Sequence, residues 1–175
     1  MRIIAGTHKG RRLHAPASAR PTPDRVRESL FSILGDVGGA EVLDLFAGSG
    51  ALGIEALSRG AARATFVDDS AAAIGAIRRN LDGLGEEAEI RRADALRFLD
   101  GASRAARQYD LVFLDPPYRL AARLGAALGE ALPPVLAPGA TVVAESDRRA
   151  PLALGLPMPD ERRYGDTLIR IFHGP

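Results

Sequence analysis

The chain has 175 residues, 46% hydrophobic but only 5% aromatic, with no cysteine, so one domain with an aliphatic core is expected and disulfides, thiolate metal sites and cysteine nucleophiles are excluded. No apolar run approaches the roughly 18 residues of a membrane span and no charged-then-apolar leader follows Met1, so the expectation is a soluble, cytoplasmic protein. The net charge of +1 hides an asymmetry, since residues 1–27 hold seven Lys or Arg against one acid and residues 28–175 hold 16 against 21, which points to a polyanionic partner met by a basic arm.

In chain order, Arg2 to Ala5 and Arg11 to His14 flank a glycine turn and read as a small basic hairpin. Ala15 to Pro23 is an extended, Pro-rich connector. Thr22 or Asp24 can cap a helix with Val26, Leu30, Ile33 and Leu34 on one face, ended by Gly35, Gly38 and Gly39. Strand and helix then alternate: strand Val42 to Phe46, a glycine loop, helix from Ala51, strand Thr65 to Val67, helix Ala71 to Leu84 carrying Asn80, and a weaker strand Ala88 to Arg92. Helix Ala95 to Ala106, strand Leu111 to Leu114, helix Ala121 to Leu132 and strand Thr141 to Glu145 follow. This βαβ spacing predicts a mainly parallel sheet covered on both faces. After a Pro-rich loop, Arg162 to Tyr164 and Leu168 to Phe172 straddle Gly165-Asp166 and predict an antiparallel edge hairpin, for seven strands in all.

Gly48-Ser49-Gly50-Ala51-Leu52-Gly53 matches a dinucleotide-type loop between strand and helix, and Asp68 lies 20 residues beyond Gly48, where it can accept from ribose hydroxyls. On that pattern NAD and S-adenosylmethionine compete. Asp44, beside the loop, can meet a cationic amino-acid group, with loop capping as the other reading. Asp94 can accept from an adenine amine, or cap the next helix. Asp110 to Tyr118 carries the chemistry. Leu111 to Leu114 is a buried strand, and Asp115-Pro116-Pro117 ends it stiffly at the sheet edge where α/β proteins bind ligands. A nucleobase amine has a delocalised lone pair. The Asp115 carboxylate and Pro116 carbonyl can accept its N–H bonds and favour the tetrahedral geometry that attack requires, while Tyr118 stacks the base for about 1–3 kcal/mol.

Asp44-Leu45-Phe46-Ala47-Gly48-Ser49-Gly50 with Asp115-Pro116-Pro117-Tyr118 resembles the Rossmann-like (class I) S-adenosylmethionine-dependent amino-methyltransferases. Arg2-Ile3-Ile4-Ala5-Gly6, Gly10-Arg11-Arg12-Leu13, the segment Arg20 to Phe31 and Tyr164-Gly165-Asp166-Thr167 are similar to the RsmD family, so the likeness covers nearly the whole chain. That resemblance implies methylation of guanine N2 in 16S ribosomal RNA, in a small-subunit particle or assembly intermediate; a monomer is expected, since no long exposed apolar stripe demands a dimer. Asp44, Phe46, Gly48, Gly50, Asp68 and Asp94 would hold S-adenosylmethionine, with Asp69 a second candidate for the ribose. Asp115, Pro116 and Tyr118 would be catalytic. Lys9, Arg11, Arg12, Arg20 and Arg25 would meet RNA, and the Arg20-Pro21-Thr22 segment would line the cleft. Arg27 would touch RNA, order the cleft through Glu28 or serve a structural ion pair. His8 and His14 belong to the RNA-facing arm, and no metal site is expected. Residues 1–23 form the basic extension and 24–175 the methyltransferase domain. Adenine-N6 methylation of DNA or RNA is the near alternative; an NAD-dependent oxidoreductase and a non-catalytic RNA-binding assembly factor are the alternatives from other classes.

Overall fold

The computed structural model describes residues 1–16, 22–157 and 159–174, and the backbone but not the side chains of Tyr118, Arg119 and Ala122. Its strands are β1 (Glu41–Leu45), β2 (Arg63–Asp68), β3 (Glu89–Arg92), β4 (Tyr109–Leu114), β5 (Leu136–Asp147), β6 (Asp160–Tyr164) and β7 (Thr167–His173). Its helices are α1 (Asp24–Leu34), α2 (Ala51–Ser58), α3 (Ala71–Leu84), α4 (Ala95–Arg104) and α5 (Tyr118–Ala131), with one 3-10 turn at Pro133–Val135. They build one seven-stranded sheet in the order β3-β2-β1-β4-β5-β7-β6. The pairs among β1 to β5 are parallel, while β7 runs antiparallel to both β5 and β6. The mainly parallel sheet and its terminal antiparallel hairpin are as the sequence predicts.

Because side chains alternate along a strand, β1, β2, β4, β5 and β7 each feed two cores. Val42, Phe66, Leu111, Phe113 and Val143 pack with α1, α2 and α3. Leu43, Leu45, Val67, Val112, Leu114, Val142 and Ala144 pack with α4 and α5. The aliphatic runs expected of a doubly covered sheet are thus divided residue by residue between two layers. No helix among the described residues is long and apolar enough to cross a membrane.

Several local expectations are corrected. The amino-terminal hairpin pairs through a single bridge, Arg2 with Arg12, rather than two strands. It is held from outside: the fully buried Glu55 of α2 accepts from the amides of Ile4 (2.8 Å) and Ala5 (3.0 Å) and from Arg59 Nε (2.8 Å). The Ser58 hydroxyl donates to the Ala5 carbonyl at 2.6 Å, and Ile3 and Leu13 enter the α1–α3 core. Neither Thr22 nor Asp24 caps α1, whose N-cap is Pro23 in an extended conformation. On α1 the buried face is Val26, Arg27, Leu30 and Phe31, with Ile33 exposed, because the helix packs one position away from the stripe that its most apolar residues define. Strand β1 stops at Leu45, one residue early, since Phe46 has φ 62. Helix α5 starts at Tyr118, three residues early: Pro117 carries the preset φ that opens a helix, so the two prolines both end the strand and begin the helix.

Replacing Glu55 with Ala should leave two amides and Arg59 without their buried acceptor and cost about 3 kcal/mol or more in urea unfolding. The same variant should expose Lys9, Arg11 and Arg12 to faster tryptic cleavage.

Candidate active site

The carboxyl ends of β2, β1, β4 and β5 lie side by side along one edge of the sheet. Phe46 in the left-handed region bends the chain out of β1 into the loop, a strained conformation for a bulky residue that persists where the surroundings demand it. The loop then enters α2 through Gly50, the N-cap residue at φ 76, which has no side chain to serve the first helical amides. Asp44 supplies that acceptor from the strand, its Oδ2 taking the Gly53 amide at 3.0 Å. Gly53 is required by space, since a Cβ there would collide with the Phe66 ring. Asp68 braces the loop from the other side: Oδ2 accepts from the Gly48 amide and Oδ1 from the Ser70 amide, both at 2.9 Å. Asn80 of α3 ties the loop to the amino-terminal segment. Its amide donates to the Ser49 and His14 carbonyls, each at 2.9 Å, and its oxygen accepts from the His14 amide at 2.7 Å.

Asp44 is 3% exposed, and burial, reinforced by the charge of Asp68, pushes its carboxyl up to about 8 despite the Gly53 hydrogen bond. The half-buried Asp115 is likewise pushed well up, by burial first and then by the charges of Glu145 and Asp44. Glu145, at the end of β5, is raised by burial and drawn back by the Thr22 hydroxyl, which donates to its Oε2 at 2.8 Å. Asp94 caps α4 through the Arg97 amide at 3.1 Å, and Asp69 is exposed beside Asp68.

The structure therefore brings Asp44, Phe46, Gly48, Gly50, Asp68 and Asp115 together around one loop and one strand end. Pro116 is buried next to them, and Tyr118 opens α5 there, its side chain lying outside the described residues. Lys9, Arg11, Arg12 and Arg25 are exposed, Arg11 donating to the Gly83 carbonyl at 2.6 Å; Arg20 lies outside the described residues. Arg27 does not face a partner. It is fully buried, paired with Asp24 at 2.8 Å and donating to the Arg2 carbonyl, and neither of these contacts involves Glu28. His8, grouped with the RNA-facing residues in the sequence, is turned instead onto Glu86 at 2.6 Å. Sequence reasoning missed Glu145 and the grip of Thr22 on it. An acid closing a strand in the same way as Asp115 was the available signal.

The donor set suits S-adenosylmethionine: a buried carboxyl beside a glycine loop is matched to a cationic amino-acid group, and an acid at the end of β2 to ribose hydroxyls. Together with the strand order and the antiparallel β7, the site defines a Rossmann-like S-adenosylmethionine-dependent methyltransferase. The chain belongs to the RsmD family, whose model, described as conserved hypothetical protein 95, matches residues 1–173. YlbH of Bacillus subtilis is 48% identical over 124 residues, 68% of this chain and 67% of that protein. Ribosomal RNA small subunit methyltransferase D of Escherichia coli K12 is 45% identical over 123 residues, again 68% of this chain but 61% of that protein, so the matched stretch spans about two thirds of these relatives. A solved structure of a hypothetical protein from Thermus thermophilus superposes with a TM-score of 0.88 at 30% identity and covers 98% of each chain. Family membership turns the glycine loop, which the sequence alone leaves shared with NAD, toward S-adenosylmethionine.

Asp44, Asp115 and Glu145 all have folded-state values above their ordinary ones. Their contribution to stability is therefore greatest below about pH 4 and is lost as pH rises, for Asp44 through about 8. Glu89, lowered to about 2 by Arg107, has the opposite sign but acts below its ordinary value of 4.5. The ligand-free protein should thus melt at lower temperature at pH 8 than at pH 5, and Asp44→Asn should flatten the difference. A bound ammonium favours ionised Asp44, so S-adenosylhomocysteine affinity measured by calorimetry should rise from pH 6 to 8 in the native protein and not in Asp44→Asn.

Proposed function

We propose that this methyltransferase modifies the exocyclic N2 amine of a guanine in 16S ribosomal RNA. The observation that carries the reading is the placement of Asp115-Pro116-Pro117-Tyr118 at the end of β4, one strand from the Asp44 glycine loop. Bound at that loop, S-adenosylmethionine supplies an electrophilic methyl group. Asp44 holds the amino-acid end, Asp68 the ribose and Asp94, beyond its capping bond, the adenine. Asp68 is favoured over Asp69 because it already braces the glycine loop, whereas Asp69 is exposed. Asp115 and the Pro116 carbonyl accept the two N–H bonds of the amine, orienting its lone pair and favouring the pyramidal nitrogen; Tyr118 stacks the extruded base.

Support for an RNA substrate comes from relatives named as small-subunit ribosomal RNA methyltransferases and from the exposed Lys9, Arg11, Arg12 and Arg25. Guanine N2 is the acceptor that the resemblance to the family implies, with adenine N6 as the alternative that nucleoside analysis separates. Residues 1–23 serve as the RNA-facing extension of a methyltransferase domain formed by 24–175. The protein works in the cytoplasm as a monomer on a small-subunit particle.

Incubation with labelled S-adenosylmethionine and small-subunit particles from cells lacking the activity should yield N2-methylguanosine. Its absence while cofactor binding is intact would overturn the assignment. Asp115→Ala should cut turnover at least about a hundredfold and spare cofactor affinity. The double change Arg11→Ala and Arg12→Ala should weaken RNA binding and reduce its salt slope by about 0.7 for each lost phosphate contact.

A further inference from the structure

Glu145 has no part in cofactor or substrate binding as described above. It is 7% exposed and pairs with Ile169 of β7, a member of the α1–α3 core, so its side chain stands on that face of the sheet. Asp44 stands there too, since its partner on β4 is Phe113 of the same core. Leu114 with Ala144 is the last rung that joins β4 to β5, and Asp115 and Glu145 are the residues that follow it on the two chains. The charge of Glu145 is felt at Asp115, as expected of near neighbours. Thr22 Oγ1 donates to Glu145 Oε2 at 2.8 Å, a bond that favours the ionised carboxylate. Among the described residues no donor reaches Oε1, and the sealed side-chain oxygens without a partner are those of Tyr109 and Ser146, so Oε1 is an accessible acceptor.

We propose that Glu145 is a specificity-determining residue that reads the base: its Oε1 accepts the ring N1–H of guanine while Asp115 and the Pro116 carbonyl hold the neighbouring N2 amine. The inference rests on the proposed function, in which Asp115 receives that amine. Adenine N6 and cytosine N4 each stand beside a ring nitrogen that accepts, and a carboxylate placed there meets a lone pair. Guanine N2 stands beside a ring nitrogen that donates. Neighbouring strands lie about 4.8 Å apart, comparable with the width of a purine's Watson–Crick edge, so acceptors on β4 and β5 can address adjacent groups of one base. Thr22 fixes the division of labour: by occupying Oε2 it leaves Oε1 to the base. A carboxylate on N1–H also pushes electron density into the ring and toward N2, which makes the amine a better nucleophile. Selection of guanine over adenine thereby acquires a cause in the strand ends that is separate from the family resemblance.

The test uses the full chain saturated with S-adenosylhomocysteine, with guanosine and 2-aminopurine riboside as probes in ligand-observed NMR titrations. 2-Aminopurine riboside keeps the amine at C2 but has no N1–H. The native protein should bind guanosine at least about tenfold more tightly. In Glu145→Gln the amide oxygen still accepts from Thr22 and the amide N–H turns to the base, so the preference should reverse while S-adenosylhomocysteine affinity is unchanged. The same variant should lose at least about tenfold in kcat/KM on small-subunit particles. Equal binding of the two probes by the native protein, or binding of neither, would overturn the inference. So would a preference or a kcat/KM unaltered in Glu145→Gln, or loss of S-adenosylhomocysteine affinity in that variant. A native protein that prefers guanosine yet leaves no N2-methylguanosine in the particles would instead overturn the proposed function and keep the reading of Glu145.

Discussion

The parallel register of β1, β4 and β5 is the constraint on which the molecule depends. Leu45 pairs with Leu114 and Leu114 with Ala144, so β1 and β4 end level with one another while β5 continues to Asp147 beside them. Because alternate residues share a face, that register puts Asp44, Asp115 and Glu145 on the side of the α1–α3 layer. A slip of one residue in β4 would send Asp115 to the opposite layer and Leu114 into the cleft. The cost of the arrangement is electrostatic. Each carboxyl is held above its ordinary value by burial, and Asp44 and Asp115 also by an acidic neighbour. In the proposed function a cationic ligand and an amine substrate are the partners that relieve it.

The basic amino-terminal segment is part of the same construction. Glu55 and Ser58 grip residues 4 to 8 through the backbone, and Asn80 binds His14 and the glycine loop with one side chain. Arg59, itself held by Glu55, lies over the Phe31 ring at 4.7 Å, and Phe31 meets Phe113 with ring centroids 5.8 Å apart. The path from hairpin to β4 is therefore packed throughout. Thr22 completes it at the far end of the connector by binding Glu145, which sits beside the reacting strand end. Presenting arginines to a polyanion from a docked surface, and not from a free arm, costs less ordering on binding.

Much was legible beforehand because the signals are local. Short apolar runs define β1, β2 and β4, with the glycine loop after β1 and two prolines after β4, and the Gly165-Asp166 turn defines the last hairpin, so the fold class needs no tertiary information. Boundaries moved where one residue plays two parts: Phe46 leaves β1 early to form the loop, and Pro117 opens α5 as well as closing β4. Arg27 illustrates a harder case. The sequence leaves RNA contact, cleft ordering through Glu28 and a structural ion pair open, and only packing selects the ion pair, burying Arg27 against Asp24 and the Arg2 carbonyl.

What the sequence by itself determined was the kind of sheet, the glycine loop with Asp44 and Asp68, and the placing of Asp115-Pro116-Pro117-Tyr118, the proposed reacting segment, at a strand end. Each is carried by residues within a few positions of one another, whose chemistry is dictated by local geometry. Tertiary structure alone decided that Asp44 caps α2, that Asp68 braces Gly48, that Glu55 anchors the hairpin and that Glu145 lies beside Asp115 under the hold of Thr22. These contacts join strand ends and segments as many as 123 positions apart, and their protonation depends on burial, a property no single stretch of chain possesses.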